Sequence, residues 1–279
     1  MSTSLKYDVF VADPIPLAGN EVLPNGDRPE FSPLSITLIS GEHDAVLIDP
    51  PMTIDQTTAV GDWVAASGKN LTHIFATHGH GDHWFGGAAL AERFRAKVVA
   101  TAGTIEQMKG NVAIREFFWD ALFPGQIPQT EVTATVAEGN LIELEGHELR
   151  IVEVGHTDTD DTSVLHVPDL DLVVAGDVIY NGVHQFLREA QGDGIEAWLG
   201  AIGTVALLKP RHIVAGHKNK DLDDDGARTI AETREYLLAA AEVLAKEPTA
   251  LDFFNAMRER FPSRLNAGAL WVGATALYA

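Results

Sequence analysis

Hydrophobic and polar positions change period several times along the chain. Residues 5 to 12 alternate in part and stop at Asp13-Pro14, which predicts a strand. Residues 14 to 32 hold four prolines and an Asn25-Gly26 pair, and predict a loop bordering a pocket. Leu34 to Ile39 and Ala45 to Ile48 flank a Gly41-Glu42-His43-Asp44 turn and predict a hairpin, ended by Asp49-Pro50-Pro51. Residues 54 to 67 predict a helix capped by Gly68. A buried strand (Leu71 to Ala76), a helix (Trp84 to Phe94), a strand (Lys97 to Thr101) and a helix (103 to 122, closed by Phe123-Pro124-Gly125) follow. Strands are expected over 130 to 137, 141 to 145 and 148 to 154, then a hairpin of Ser163 to Val167 with Leu172 to Ala175. Ile195 to Leu208 reads as a helix stopped at Pro210, and His212 to Ala215 as a short strand. A long helix over 222 to 245 opens with Asp223 to Asp225, which suits the helix dipole. Helical segments near 249 to 260 and 264 to 278 finish the chain.

Two blocks thus share one pattern: several strands, then strands alternating with helices. The expected fold is α/β, with two mixed sheets face to face and helices outside, in four layers. No low-complexity linker interrupts it, so residues 1 to 279 read as a single domain, with the helices from about 222 onward packing on it. Apolar residues make up 46%, enough for a sizeable core. The net charge is −20, from 40 acids and 20 bases, which disfavours nucleic acid and anionic membranes as partners. There is no cysteine, so disulfides and thiolate metal ligands are excluded. The Met-Ser-Thr-Ser-Leu-Lys-Tyr-Asp start lacks the basic and apolar runs of a signal peptide, and no apolar stretch approaches membrane-spanning length. The expected setting is cytoplasmic.

Candidate chemistry gathers at one loop. His78-Gly79-His80-Gly81-Asp82-His83 sets four potential metal ligands within six residues, between a strand and a helix. Spacings of two, two and one do not fit a helix face, and the two glycines let the backbone fold tightly enough for the side chains to converge. Imidazoles with a carboxylate suit a borderline divalent ion such as zinc. Three further places repeat one logic, an apolar run, a glycine and then a ligand-type residue: His156, Asp177 and His217. Strand ends along one sheet edge lie close in space, which would bring these three to the loop. The other histidines lack that context and read as structural or surface groups, except that His184, seven residues after Asp177, is a candidate pocket residue. Phe117, Phe118 and Trp119 are adjacent and cannot all face a core; Phe118 and Trp119 are candidates for a pocket wall, with packing against loops as the alternative.

This set resembles the metallo-β-lactamase fold hydrolases over residues 78 to 217. The resemblance implies an αββα sandwich with a two-metal site at one sheet edge, holding two zinc ions per chain, with iron or manganese as alternatives. It implies that His78, His80 and His156 hold the first metal, that Asp82, His83 and His217 hold the second, and that Asp177 bridges them. Lactonases and glyoxalase II-type thioesterases keep such a bridging Asp.

Two divalent ions carry +4, against −2 from Asp82 and Asp177 and −1 from a hydroxide. The expected reaction is therefore attack of a metal-bound hydroxide on the carbonyl of a small ester, lactone or amide, with Asp82 moving the proton. Tyr180, three residues past Asp177, is an expected oxyanion donor, a spacing similar to that of acyl-homoserine lactonases. After His156 the sequence Thr157-Asp158-Thr159-Asp160-Asp161 departs from the Thr-x-Gly-His of glutathione thioesterases and would repel an anionic glutathione conjugate. A glyoxalase II-like thioesterase, a β-lactamase and a mononuclear iron sulfur dioxygenase-like oxidoreductase are the competing readings. The apolar C-terminal segment is suited to core packing, to covering the site, or to contact with a second subunit of a homodimer.

Overall fold

The computed structural model describes residues 4–130 and 132–279. The reading of the first three residues lies outside this range, as does residue 131 of the expected 130–137 strand. The first half of the chain runs β1 (Lys6–Ala12), β2 (Ile15–Pro16), β3 (Glu30–Phe31), β4 (Leu34–Ser40), β5 (Asp44–Ile48), α1 (Ile54–Ala66), β6 (Asn70–Phe75), α2 (Gly87–Phe94), β7 (Lys97–Ala100), α3 (Ala102–Ile114), α4 (Trp119–Leu122) and β8 (Thr135–Val136). The second half runs β9 (Leu141–Leu144), β10 (His147–Gly155), β11 (Thr162–Val167), β12 (Leu172–Asn181), α5 (Gly194–Leu207), β13 (His212–Lys218), α6 (Gly226–Leu244), α7 (Ala250–Arg260) and α8 (Ala267–Leu277).

Among the described residues eleven of the thirteen strands form one continuous sheet, in the order β8-β7-β6-β5-β4-β13-β12-β11-β10-β9 with β1 also paired to β4, while β2 and β3 pair separately. The two halves meet at a single register pair, Leu34 opposite His217. The sheet curls at that seam and its halves face each other. Between them Ile39, Val46 and Ile48 of the first half pack with Leu149, Leu165, Val174 and Val214 of the second. Outside the first half, Leu38, Leu47 and Ile74 pack on Val60 and Val64 of α1 and Leu90 of α2. Outside the second, Val173, Ala175 and Ile213 meet Trp198 of α5, Leu237 of α6 and Phe254 of α7. The result is the expected four layers, α, β, β, α. A fully buried Leu or Ile here is worth about 2 kcal/mol relative to exposure, and strands buried on both faces read as unbroken apolar runs.

Several boundaries differ from expectation for local reasons. The helix expected from Trp84 begins only at Gly87, because Gly81–His83 first form a 3₁₀ turn. The helix expected over 103–122 breaks after Ile114 and resumes at Trp119. The strand expected to end before Gly176 runs on to Asn181 and shifts register against β13 between Val174 and Tyr180.

Candidate metal centre

The loop after β6 carries His78, His80, Asp82 and His83, and close packing explains its glycines. A Cβ on Gly79 would lie 2.3 Å from the Gln107 side chain, and one on Gly81 would lie 2.0 Å from the Phe85 ring. Trp84 Nε1 donates to the Gly79 carbonyl at 2.8 Å and pins the loop from below. From the other half of the sheet, β12 brings Asp177 and β13 brings His217. Gly216 is needed there, since a Cβ would lie 2.1 Å from Asp177 Oδ1.

These side chains converge in buried space. His83 Nε2 lies 3.1 Å from Asp82 Oδ2 and 3.3 Å from Asp177 Oδ1. His217 Nε2 lies 3.3 Å from Asp82 Oδ2 and 3.2 Å from Asp177 Oδ2. His80 Nδ1 lies 2.8 Å from Asp158 Oδ2, and His78 Nε2 lies 3.7 Å from the same oxygen. Three overlapping groups of possible ligands result: His78, His80 and Asp158; His78, His83 and Asp177; and Asp82, His83 and His217. His78 Nε2, both ring nitrogens of His83, Asp158 Oδ2 and Asp177 Oδ1 are buried without a hydrogen-bond partner. Buried polar atoms left unpaired in this way are costly, and their convergence fits a cation-binding centre.

A surrounding set of residues holds the rings. His217 Nδ1 donates to the Pro33 carbonyl at 2.9 Å, which leaves Nε2 for the centre. Asp49 lies 3.3 Å from His83 Nδ1 and also accepts from the Thr77 backbone N–H and hydroxyl. Thr77 Oγ1 in turn lies 3.0 Å from His78 Nδ1. Asp49 reads in the sequence only as a turn residue; its signal is an acidic group at the end of the buried β5 strand. His80 Nε2 lies 3.2 Å from Glu189 Oε1.

Electrostatics favour positive charge here. Burial opposes ionisation of His80, yet Asp158 and Glu189 raise its pKa well above the usual imidazole range. Burial is likewise outweighed at His83 by Asp82, Asp177 and Asp49, and at His217 by Asp177 and Asp82, which bring it to about 10. For His78 burial prevails, aided by His83, and its pKa is lowered. Burial also works against the carboxylates, but His83 and His217 hold Asp82 well below its ordinary range and His217 and His83 do the same for Asp177.

The remaining expected residues fall as follows. His156 stands in none of the three groups of possible ligands, although its Nε2 is buried without a hydrogen-bond partner. Gly155 adopts φ +86° and a register irregularity interrupts the β10–β11 pairing between Glu153 and Gly155. The His156 ring then pairs through Nδ1 with Asp160 at 2.7 Å, while its Nε2 sits against Gly194 at the start of α5. Asp158, from the acidic run after His156, is grouped with His78 and His80. Tyr180 is buried, and its hydroxyl donates to Asp177 Oδ2 at 2.5 Å. Burial and the Asp177 charge raise its pKa well above the ordinary phenol value, so it keeps that proton. His184 is not among the residues that line the cavity described below; it is buried against α6, its Nδ1 sharing a hydrogen bond of 3.0 Å with the Tyr236 hydroxyl.

A cavity of about 670 Å³ opens over the cluster. His80, Asp82, Asp158, Asp177, Tyr180 and His217 line its polar end. Its walls are mainly apolar, with Leu17 and Phe31 from the β2–β3 segment, Phe118 and Trp119 at the start of α4, and Trp271 and Val272 from α8, while Glu21, Arg188 and Glu189 add charge. Arg188 covers the Phe118 ring at 5.0 Å. Among the described residues no helix is long and apolar enough to cross a membrane.

Comparison with known proteins agrees with this architecture. The family model described as the metallo-beta-lactamase superfamily matches residues 30–217. A hydroxyacylglutathione hydrolase of Rhizobium meliloti is 27% identical over 158 residues, 56% of this chain and 52% of that protein. A metal-dependent hydrolase of Rhizobium johnstonii is 29% identical over 154 residues, 47% of this chain and 65% of that protein. The chain thus spans only about half to two thirds of the length of these relatives. A metallo-beta-lactamase family protein of Thermus thermophilus superposes with a TM-score of 0.62 at 18% identity, covering 97% of this chain and 91% of that one. A metallo-beta-lactamase of Pontibacter korlensis gives 0.56 at 17% identity, covering 84% and 99%. At these identities the solved structures show the fold alone.

Proposed function

The chain belongs to the metallo-beta-lactamase superfamily, and from that premise we propose that it is a metal-dependent hydrolase of a small ester, lactone or amide with an apolar portion. The observation that carries this reading is the placement of the unpaired imidazole and carboxylate atoms at the polar end of an apolar-walled cavity. Asp82, His83 and His217 would hold one metal ion, His78 and His80 would contribute to a subsite beside it, and Asp177, grouped with His78 and His83, would serve between them. A zinc pair held there would supply Lewis acidity and a water that ionises near neutral pH. Asp82 borders the cavity, and in this reading it would take the proton released on attack and pass it to the leaving atom. Tyr180 orients Asp177 through its hydroxyl. The phenol also lines the cavity, and its one proton, given to Asp177 here, would have to turn away from Asp177 to serve an oxyanion. The walls hold the acyl or alkyl portion by excluding water from it.

The names of two relatives, both hydroxyacylglutathione hydrolases, favour a second reading as a thioesterase. Against it stand Asp158, Glu21 and Glu189 along the cavity, which disfavour an anionic conjugate. The test is a hydrolysis screen of lactones, aryl esters, β-lactams and a hydroxyacylglutathione, using protein stripped of metal and then reloaded with zinc. Neutral, apolar esters or lactones should be turned over only by the reloaded protein. Preference for the glutathione thioester would select the second reading, and inertness toward every class would remove both.

A further inference from the structure

We propose that Glu189 is a positioning residue for His80, fixing the ring so that Nδ1 is presented to the metal centre. This role rests on the reading of the centre as a metal site and deepens it. Two carboxylates flank the ring. Asp158 Oδ2 lies 2.8 Å from Nδ1 but takes part in no hydrogen bond. Glu189 Oε1 lies 3.2 Å from Nε2 in hydrogen-bond geometry. The directed contact is therefore the one at Nε2, whose N–H donates to Glu189. A neutral imidazole has one N–H and one lone pair, and the bond made by the outer nitrogen decides which atom is free to ligate. With its proton held at Nε2, His80 offers Nδ1.

The neighbouring imidazoles show how this one differs. His217 Nδ1 meets the Pro33 carbonyl, His83 Nδ1 stands beside Asp49, and His78 Nδ1 beside Thr77 Oγ1. Those three braces are buried. Glu189 has a side chain that is 45% exposed. It also comes from the segment between β12 and α5, on the opposite half of the sheet from the loop that carries His80.

That segment is itself held in place. The Phe186 ring stands perpendicular to the His80 ring, with 5.7 Å between centroids. Arg188 lies over the Phe118 ring at 5.0 Å. The Ala190 N–H donates to the Leu187 carbonyl at 3.2 Å, so Glu189 is carried on a tight turn. An ordinary surface ion pair would act on the centre through charge alone and would be worth little. A brace acts through the direction of one N–H, and an uncharged acceptor of the same shape serves it nearly as well.

Metal affinity separates the two without reference to any substrate. Wild type, Glu189→Ala, Glu189→Gln and Glu21→Gln would each be stripped and titrated with cobalt(II) against a competing chelator, followed by visible absorption. Circular dichroism of the stripped forms checks folding, which a half-exposed side chain should barely affect. Glu21, an exposed acid that also lines the cavity, is the charge control. Glu189→Ala should hold one equivalent about 10–100-fold more weakly, with a changed cobalt spectrum. Glu189→Gln should recover most of that affinity, since its amide oxygen still accepts from Nε2. Glu21→Gln should bind as wild type does. The role is overturned if Glu189→Ala binds cobalt as wild type does, if Glu189→Gln falls to the level of Glu189→Ala, or if Glu21→Gln weakens binding as much. Wild type that takes up no cobalt would remove the metal-dependent reading and this role together. Metal-loaded wild type that is inert in the hydrolysis screen would count against the proposed function and leave the role of Glu189 standing.

Discussion

Asp49 illustrates how much of the centre depends on side chains that never face the cavity. It has φ +56°, accepts from both polar groups of Thr77 and stands beside His83. Asp49→Ala would leave the buried Thr77 N–H unpaired and free one face of the His83 ring. We expect a loss of about 2–3 kcal/mol in urea unfolding and metal binding weaker by roughly 10–100-fold. Asp49→Asn should recover much of the stability, since its carbonyl still accepts and Asn tolerates the left-handed backbone. A stripped Asp49→Ala protein as stable as wild type would show that these bonds matter little. At this scale the sequence was informative where ligands are dense. The glycine-spaced loop predicts its own convergence, and Asp177 and His217 follow from a buried strand ending in glycine. The same rule misses Asp158, because it assumes that the chain leaves Gly155 in the strand direction, whereas φ +86° there turns it. Asp49 is missed because nothing in a sequence distinguishes an acid that ends a hairpin from one that braces a ring.

Among the elements, α6 and the segment after β12 carry a buried titratable pair unrelated to the centre. His184 is packed against Tyr236, and burial, then Arg264 and Arg258, lower its pKa to about 3. The folded form therefore resists a proton that the unfolded chain accepts below about pH 6.5. Stability from this group is complete above that value and declines as pH falls toward 3, at roughly 1 kcal/mol per pH unit once well inside the window. Comparing urea midpoints of stripped wild type and His184→Gln from pH 7 to pH 4 isolates it. The variant should show the shallower decline, and parallel curves would remove His184 as the cause. Element types were largely legible from periodicity, and the differences are instructive. The 3₁₀ turn at Gly81–His83 delays α2, so that Asp82 and His83 point to the centre rather than lying on a helix face. The break between α3 and α4 lets Phe118 and Trp119 reach the cavity while Phe117 stays exposed. Both depend on tertiary packing that a local pattern does not encode.

For the molecule as a whole, four layers follow from apolar runs flanked by amphipathic helices, so the architecture could be read before any coordinates. That the two β layers are one curled sheet could not, because it hangs on the single Leu34–His217 pair. That pair has a mechanical meaning. His78, His80, Asp82 and His83 come from one side of the fold line, while Asp158, Asp177 and His217 come from the other. A cation gripped by both sides acts as a rivet across a joint that the backbone itself closes with few ladder bonds. Its binding free energy is added to the resistance of that joint to opening. Amide hydrogen exchange should therefore slow on metal loading most strongly near Leu34 and His217, and much less in the middle of β5 or β11. Equal protection throughout would mean that the two flaps separate only when the entire chain unfolds. On the expected outcome, removal of metal leaves a protein still layered and folded but free to gape along its crease, and a protease would find its first foothold there.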